Sequence, residues 1–296
     1  MDLSYEQRNI FNEISEKSIF LYCTPKCGGT TLYDSLKTYY KTIHIHSQNF
    51  FEKFYKDKDI INNKFKIIDC IEESRKNNKE VYIIDVYRQP IERNMSYFFH
   101  IIEDILPDYN NKTTEELIKF FNTDMYFQYE QSIDEVVKYY NINLYEQPFD
   151  HNKMYLEYKF DNINFIILHF DYINNWESII ENIFKTNINL LDRNIGEKKS
   201  YSQIYKDYKN NYRIPKFILE FIQKEKNFNY FNNEDMKNNY ISFWLKRIEH
   251  NLIINELPED FDLEKYKKKN MDLERMNELE LLWHYYLFGK DENREY

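Results

Sequence analysis

The sequence predicts an α/β protein of three layers, a central parallel sheet between helices, with a helix-rich C-terminal part. Three observations predict it. Short apolar runs at Ile19 to Cys23, Val81 to Tyr87 (broken only by Asp85) and Phe165 to Leu168 have the character of parallel strands buried on both faces. Each run is followed by a turn and then by a segment with helical spacing. Beyond residue 200 helical spacing continues with no comparable strand run.

Length and composition bound the function. The 296 residues suffice for one large α/β core and a small appendage. With 28 Tyr and 23 Phe, that core is built from aromatics and isoleucine. A net charge of −10 argues against nucleic acid as the partner, although a local basic pocket for an anion is compatible with it. The first 17 residues carry no long apolar core, so no secretory leader is expected, and they read as a short amphipathic helix. No run of about 18 apolar residues exists, so no transmembrane segment is expected. The 3 cysteines (Cys23, Cys27, Cys70) are odd in number and sparse, which suits a reducing, cytoplasmic setting. The oligomeric state is not legible.

The first strand, Ile19 to Cys23, turns through Thr24-Pro25-Lys26-Cys27-Gly28-Gly29 and resumes at Thr30-Thr31 as a helix with Leu32 and Leu36 on one face. Strand, glycine loop, helix points main-chain N–H groups and a helix N-terminus at an anion. The chain has only 4 Gly, and 2 of them are adjacent here. They mark either an ordinary tight turn or a close approach to a ligand. Lys26 beside two glycines and two hydroxyl residues favours a phosphate or sulfate group. The lysine precedes the glycines, so this is not a G-x-x-x-x-G-K-[ST] loop. Cys27 is not read as a nucleophile, because no activating partner is visible.

Thr42-Ile43-His44-Ile45-His46 alternates as a second strand, with both histidines on one face. His44 reads as a packing residue. His46 lies at the C-terminal strand end, where ligands sit in open parallel sheets. Residues 48–80 read as covering helices, with Phe50, Phe51 and Phe54 on one side and Ile67, Ile68 and Ile71 on another. After Val81 to Tyr87, Arg88-Gln89-Pro90 ends the strand and a helix runs from Ile91 to His100. Arg88 offers a guanidinium fork at a strand end, and Ser96, two helical turns on, can face back toward it. Arg93 reads as a structural residue paired with an acid.

Residues 104–150 are the least decodable. Thr113 or Thr114 caps a helix with Glu115 and Glu116 in its first turn, and a second helix runs from Ser132 toward Tyr140. Asp171 follows the Phe165 strand, Trp176 to Phe184 is an amphipathic helix, and Asn187 to Asp192 reads as a short strand or edge. Asn194 to Tyr201 is a basic loop with Gly196, Lys198 and Lys199, leading into a helix to Tyr212. It is either a lid over a nucleotide or a solvated turn. Two helices fill 215–250, the first begun by Pro215.

Two motifs carry a resemblance. Pro25-Lys26-Cys27-Gly28-Gly29-Thr30-Thr31-Leu32 resembles the 5′-phosphosulfate loop of sulfotransferases that use 3′-phosphoadenosine 5′-phosphosulfate (PAPS). The segment from Arg88 through Pro90, Arg93 and Ser96 to Phe98 resembles that family's second signature, R-x-P-x-x-R-x-x-S-x-(F/Y). The resemblance implies a P-loop NTPase-like three-layer fold. It implies that Lys26, Thr31 and the N–H groups of Gly28, Gly29 and Thr30 hold the phosphosulfate, and that Arg88 and Ser96 hold the 3′-phosphate. Lys198 and Lys199 match the basic loop that closes over the cofactor in related bacterial enzymes. His46 resembles the histidine base of the uronyl 2-O-sulfotransferases, with His100 in reserve. No metal is required in that chemistry, and the sequence groups no His/Asp/Cys set that would build a centre.

From Leu257 the character changes. Asp262 to Tyr266, Asn270-Met-Asp-Leu273 and Trp283 to Tyr296 resemble a small helical module at the ends of some glycosyltransferases and other carbohydrate-modifying enzymes. Gly289 is a helix C′ glycine in that reading. The expected organisation is therefore a domain over 1–250 and a module over 251–296, and the expected acceptor is a carbohydrate hydroxyl. Two other functions are weighed: a P-loop kinase with Asp85 as its magnesium carboxylate, and a non-catalytic carbohydrate-binding protein on the same fold.

Overall fold

The computed structural model describes residues 17–48, 66–77, 80–125, 131–191, 201–250 and 257–296. Its strands are β1 (Lys17–Tyr22), β2 (Lys41–Ile45), β3 (Glu80–Tyr87), β4 (Tyr155–Phe160) and β5 (Ile163–His169). Its α-helices are α1 (Gly29–Leu36), α2 (Ile67–Lys76), α3 (Pro90–Ile105), α4 (Thr114–Asp124), α5 (Asp134–Tyr139), α6 (Trp176–Phe184), α7 (Ser202–Asn211), α8 (Lys216–Lys224), α9 (Lys226–Phe231), α10 (Glu234–Leu245), α11 (Leu263–Lys269) and α12 (Glu278–His284). The chain divides into two compact units, one of Met1–Gln89 with Glu130–Lys199, the other of Pro90–Tyr129 with Ser200–Tyr296.

The first unit holds the sheet, in the order β2-β1-β3-β5-β4. β2, β1, β3 and β5 run parallel, and β4 is antiparallel to β5 at the edge. The apolar runs sit where two-sided burial demands them: β3 is buried from Val81 to Tyr87 and β5 along its whole length. Leu32 and Leu36 of α1, with Trp176 and Ile180 of α6, cover Leu21, Ile84, Val86 and Leu168 on one face. The other face carries α2 and α5. Ile67, Cys70 and Ile71 of α2 are buried, and the Tyr140 hydroxyl, just past α5, donates to Glu72 of α2 at 2.6 Å. The Tyr22 hydroxyl at the end of β1 donates to Glu135 of α5. Helices on both faces make the three layers. Asn187 to Leu191 pairs in no ladder, and the main chain of Leu191 instead donates to Ser35 Oγ at 2.9 Å.

The second unit is helical throughout its described residues, apart from a bridge between Ile214 and Ile248. Phe98 and Phe99 of α3, Phe121 of α4, Tyr208 and Tyr212 of α7 and Trp244 of α10 form its aromatic core. The two tyrosine rings stack at 5.5 Å, and Tyr212 donates to Asn122 at 3.0 Å. Thr113 caps α4 as the sequence suggests, accepting from Glu116 N at 3.2 Å while its own N–H donates to the Glu116 carboxylate at 2.7 Å. Residues 215–250 form three helices rather than two. Glu225 accepts from Phe228 N at 2.6 Å and Asn233 from Met236 N at 2.9 Å, and each cap starts a new helix.

The last segment has a small core of its own around Tyr266, Leu273, Leu281 and Tyr285. The side chains that carry its resemblance bond to one another. Asp262 caps α11 by accepting from Lys265 N at 2.9 Å. The Tyr266 hydroxyl pairs with His284 Nδ1 at 2.8 Å, and Arg294 bonds Asp272 and Glu292 at 2.7 Å each. The motif is thus the internal wiring of the module. Gly289 is not a left-handed C′ residue: its φ lies outside the left-handed range, and a Cβ there would meet the Tyr266 hydroxyl at 2.6 Å. Close packing against Tyr266 is what requires glycine.

Candidate functional site

β1 delivers the chain to a loop at the C-terminal edge of the sheet. Lys26 and Gly28 both take left-handed backbone, at φ 67° and 86°. Turns of this kind gather successive N–H groups into a concavity that suits an anion. Gly28 is the N-cap of α1 and has no side chain to offer, so the first N–H groups of the helix have no side-chain cap. Thr30 is exposed and Thr31 half-buried in that first turn.

Both glycines are required by contact. A Cβ on Gly28 would stand 2.9 Å from the Trp176 ring, whose indole N–H is anchored to the His169 carbonyl at 3.1 Å. A Cβ on Gly29 would stand 2.5 Å from both Cys23 Sγ and His44 Nε2. Cys27 turns its side chain into the core with Leu21 and Leu32, and its thiol donates to the Pro25 carbonyl. Only its main chain can serve the loop.

Arg88, at the end of the adjacent strand β3, reaches this loop. Its Nη1 donates to the Lys26 carbonyl, and its guanidinium lies 4.3 Å from the centre of the Phe170 ring. Its Nε is buried and has no hydrogen-bond partner among the described residues. An orphaned buried donor costs about 1–3 kcal/mol, which an anion at this point would recover. Beside it, Gln89 accepts from the Tyr87 hydroxyl and donates to Asp171, both at 3.2 Å. Ser96 and the buried Arg93 lie on α3, in the second unit, where His100 is exposed. Lys198 and Lys199, with Asn194 and Gly196, lie outside the described residues.

His46 Nδ1 bonds the Cys23 carbonyl at 2.7 Å. A carbonyl only accepts, so Nδ1 carries the proton and Nε2 the lone pair. Burial pulls the His46 pKa below its ordinary value; the Cys23 bond works the other way, and the nearby Lys26 charge adds to the lowering. His44 is packed among its neighbours. Its Nε2 lies 3.5 Å from Cys23 Sγ, its ring stacks on Tyr33, and burial drops its pKa to about 4. Burial pushes the Cys23 thiol well up. Cys23, His44 and His46 thus form a cluster whose ligand atoms lie within 4.8 Å of one another. The sequence hides it because its members come from two strand ends.

Asp85 is fully buried. Its carboxyl accepts from Val86 N at 2.7 Å and Ile133 N at 3.2 Å, and burial pushes its pKa up to about 7. A carboxyl so enclosed is a poor magnesium ligand, which weakens the kinase reading. No described helix is long and apolar enough to cross a membrane. No protein-family model, curated protein or solved structure matches the chain.

Proposed function

We propose that this chain is a PAPS-dependent sulfotransferase on a P-loop NTPase-like fold, acting in the cytoplasm on a carbohydrate hydroxyl. One observation carries the reading: a helix start with no side-chain cap and a left-handed lysine–glycine turn lie directly against an arginine whose buried Nε has no hydrogen-bond partner among the described residues. A nucleotide with phosphates at both its 5′ and 3′ positions supplies anions to both.

In this reading the acceptor oxygen attacks sulfur in line with the leaving group. The bond from sulfur to the 5′-phosphate oxygen breaks, and adenosine 3′,5′-bisphosphate departs. Lys26, Thr31 and the N–H groups of Gly28, Gly29 and Thr30 stabilise charge on the leaving oxygen and the sulfuryl group. Arg88 holds the 3′-phosphate; Ser96, Lys198 and Lys199 are assigned to the nucleotide by the sequence resemblance alone. His46 Nε2 takes the acceptor proton. Atoms and charge balance without a redox partner. The carbohydrate acceptor is supported by the resemblance of the C-terminal module alone.

The test is calorimetric titration with adenosine 3′,5′-bisphosphate, followed by transfer from ³⁵S-labelled PAPS to a panel of glycans with Lys26→Ala as control. The reading expects magnesium-independent micromolar binding and transfer abolished in the variant. Binding of ATP with magnesium in preference to the bisphosphate would replace it with the kinase reading.

A further inference from the structure

We propose that Cys23, His44 and His46 bind one divalent cation of the zinc class, through a thiolate and two imidazoles. The inference goes beyond sulfuryl transfer and shares only His46 with it.

Three soft or borderline donors converge at the ends of two neighbouring strands. β1 and β2 pair in parallel with Leu21 opposite His44, and Cys23 N donates to the Ile45 carbonyl at 3.1 Å. That register sets Cys23 beside both histidines, which share a face of β2. A zinc ion with bonds of about 2.3 Å to sulfur and about 2.0–2.1 Å to nitrogen needs ligand atoms about 3.3–3.6 Å apart. Cys23 Sγ and His44 Nε2 stand at 3.5 Å already. No pair in the set exceeds 4.8 Å, so about 1 Å of side-chain movement completes the triangle.

The surroundings fit a ligand set. His46 spends Nδ1–H on the Cys23 carbonyl, the outer-shell bond that aims the other nitrogen at a metal. Gly29 leaves space for the sulfur and the imidazole to approach, since any Cβ there would stand 2.5 Å from each. Lys26 opposes a cation at this point, while Asp85 acts on Cys23 with the opposite sign. A thiolate at Cys23 offsets one cationic charge. Three protein ligands leave a fourth position open, as in zinc sites that bind water or substrate.

Metal and general-base duty both need His46 Nε2, so the test is run on the intact chain without nucleotide. Its failure leaves the sulfuryl-transfer reading standing, and the converse holds too. Tag-free protein is stripped with chelator and titrated with Co²⁺, then with Zn²⁺. The expected result is one equivalent bound, with a thiolate-to-cobalt charge-transfer band and tetrahedral d–d absorption, both erased by zinc. Cys23→Ser removes the charge-transfer band, and His44→Gln and His46→Gln each weaken cobalt binding more than about tenfold. Should Cys23→Ser fail to fold, by circular dichroism, His46→Gln alone decides through affinity. No saturable binding, cobalt bands that survive in folded Cys23→Ser, or unchanged affinity in His46→Gln would overturn the proposal.

Discussion

The guanidinium of Arg88 donates to the main-chain carbonyl of Lys26, 62 residues earlier in the chain. The bond joins the ends of two adjacent parallel strands, β1 and β3, and sets a cationic fork beside a turn of main-chain donors. Phe170 backs the fork, so its plane is fixed before any anion arrives. Lysine at position 88 would keep the charge but lose the plane and the second donor. Arg88→Lys is expected to raise the dissociation constant for adenosine 3′,5′-bisphosphate at least about tenfold, or 1.4 kcal/mol. Titration calorimetry reads this directly; equal affinity would remove Arg88 from the nucleotide site.

Lys26 holds left-handed backbone at a cost of about 1–2 kcal/mol, and its bond to Arg88 uses only its carbonyl. Lys26→Gly relieves the strain and keeps the bond. The unfolding free energy is expected to hold or to rise by up to about 1 kcal/mol, while transfer falls at least about 100-fold. Denaturation and turnover measured on one preparation check the opposite movement. A parallel loss of both would mean that the lysine is structural.

Gly28→Ala meets two obstacles, a φ of 86° and the Trp176 ring at 2.9 Å. A loss of about 1–3 kcal/mol is expected. Part of it is steric and part conformational. In a Trp176→Leu background the steric part vanishes, so the cost of Gly28→Ala shrinks in a double-mutant cycle. Strict additivity would show that ring and loop do not touch.

The Asp85 carboxyl titrates near 7 in the fold, against about 3.9 in an unfolded chain. Between these values the folded state holds a proton that the unfolded state lacks. Stability therefore falls as pH rises from about 4 to 7, by about 1.4 kcal/mol for each pH unit from this group, and levels off above. Asp85→Asn cannot titrate. The difference in unfolding free energy, wild type minus variant, should be most positive near pH 4 and decline toward pH 7 in urea titrations. A difference that stays constant with pH would contradict the burial of this carboxyl.

What the sequence disclosed and what it concealed divide along physical lines. β1, β3 and β5 are legible because burial on both faces leaves runs that are mostly apolar, with Asp85 the one interruption inside β3. β4 is not, because an antiparallel edge mixes Leu156 with the exposed Glu157 and Lys159, and its residues merge into the run before β5. The breaks between α8, α9 and α10 rest on Glu225 and Asn233, ordinary polar residues until their capping bonds are seen. The lysine–diglycine turn was readable from local chemistry. The Cys23–His44 approach and the Trp176 support of Gly28 were not, since strand register and helix packing bring distant residues together.

Trp176 has one more consequence. The chain has 3 tryptophans, and Trp244 and Trp283 belong to the other unit. With those two replaced by phenylalanine, the single remaining indole would lie fully shielded, its ring edge against the turn expected to grip the nucleotide. The protein thus contains its own optical gauge of that turn, and its emission would register an occupant without any label being attached.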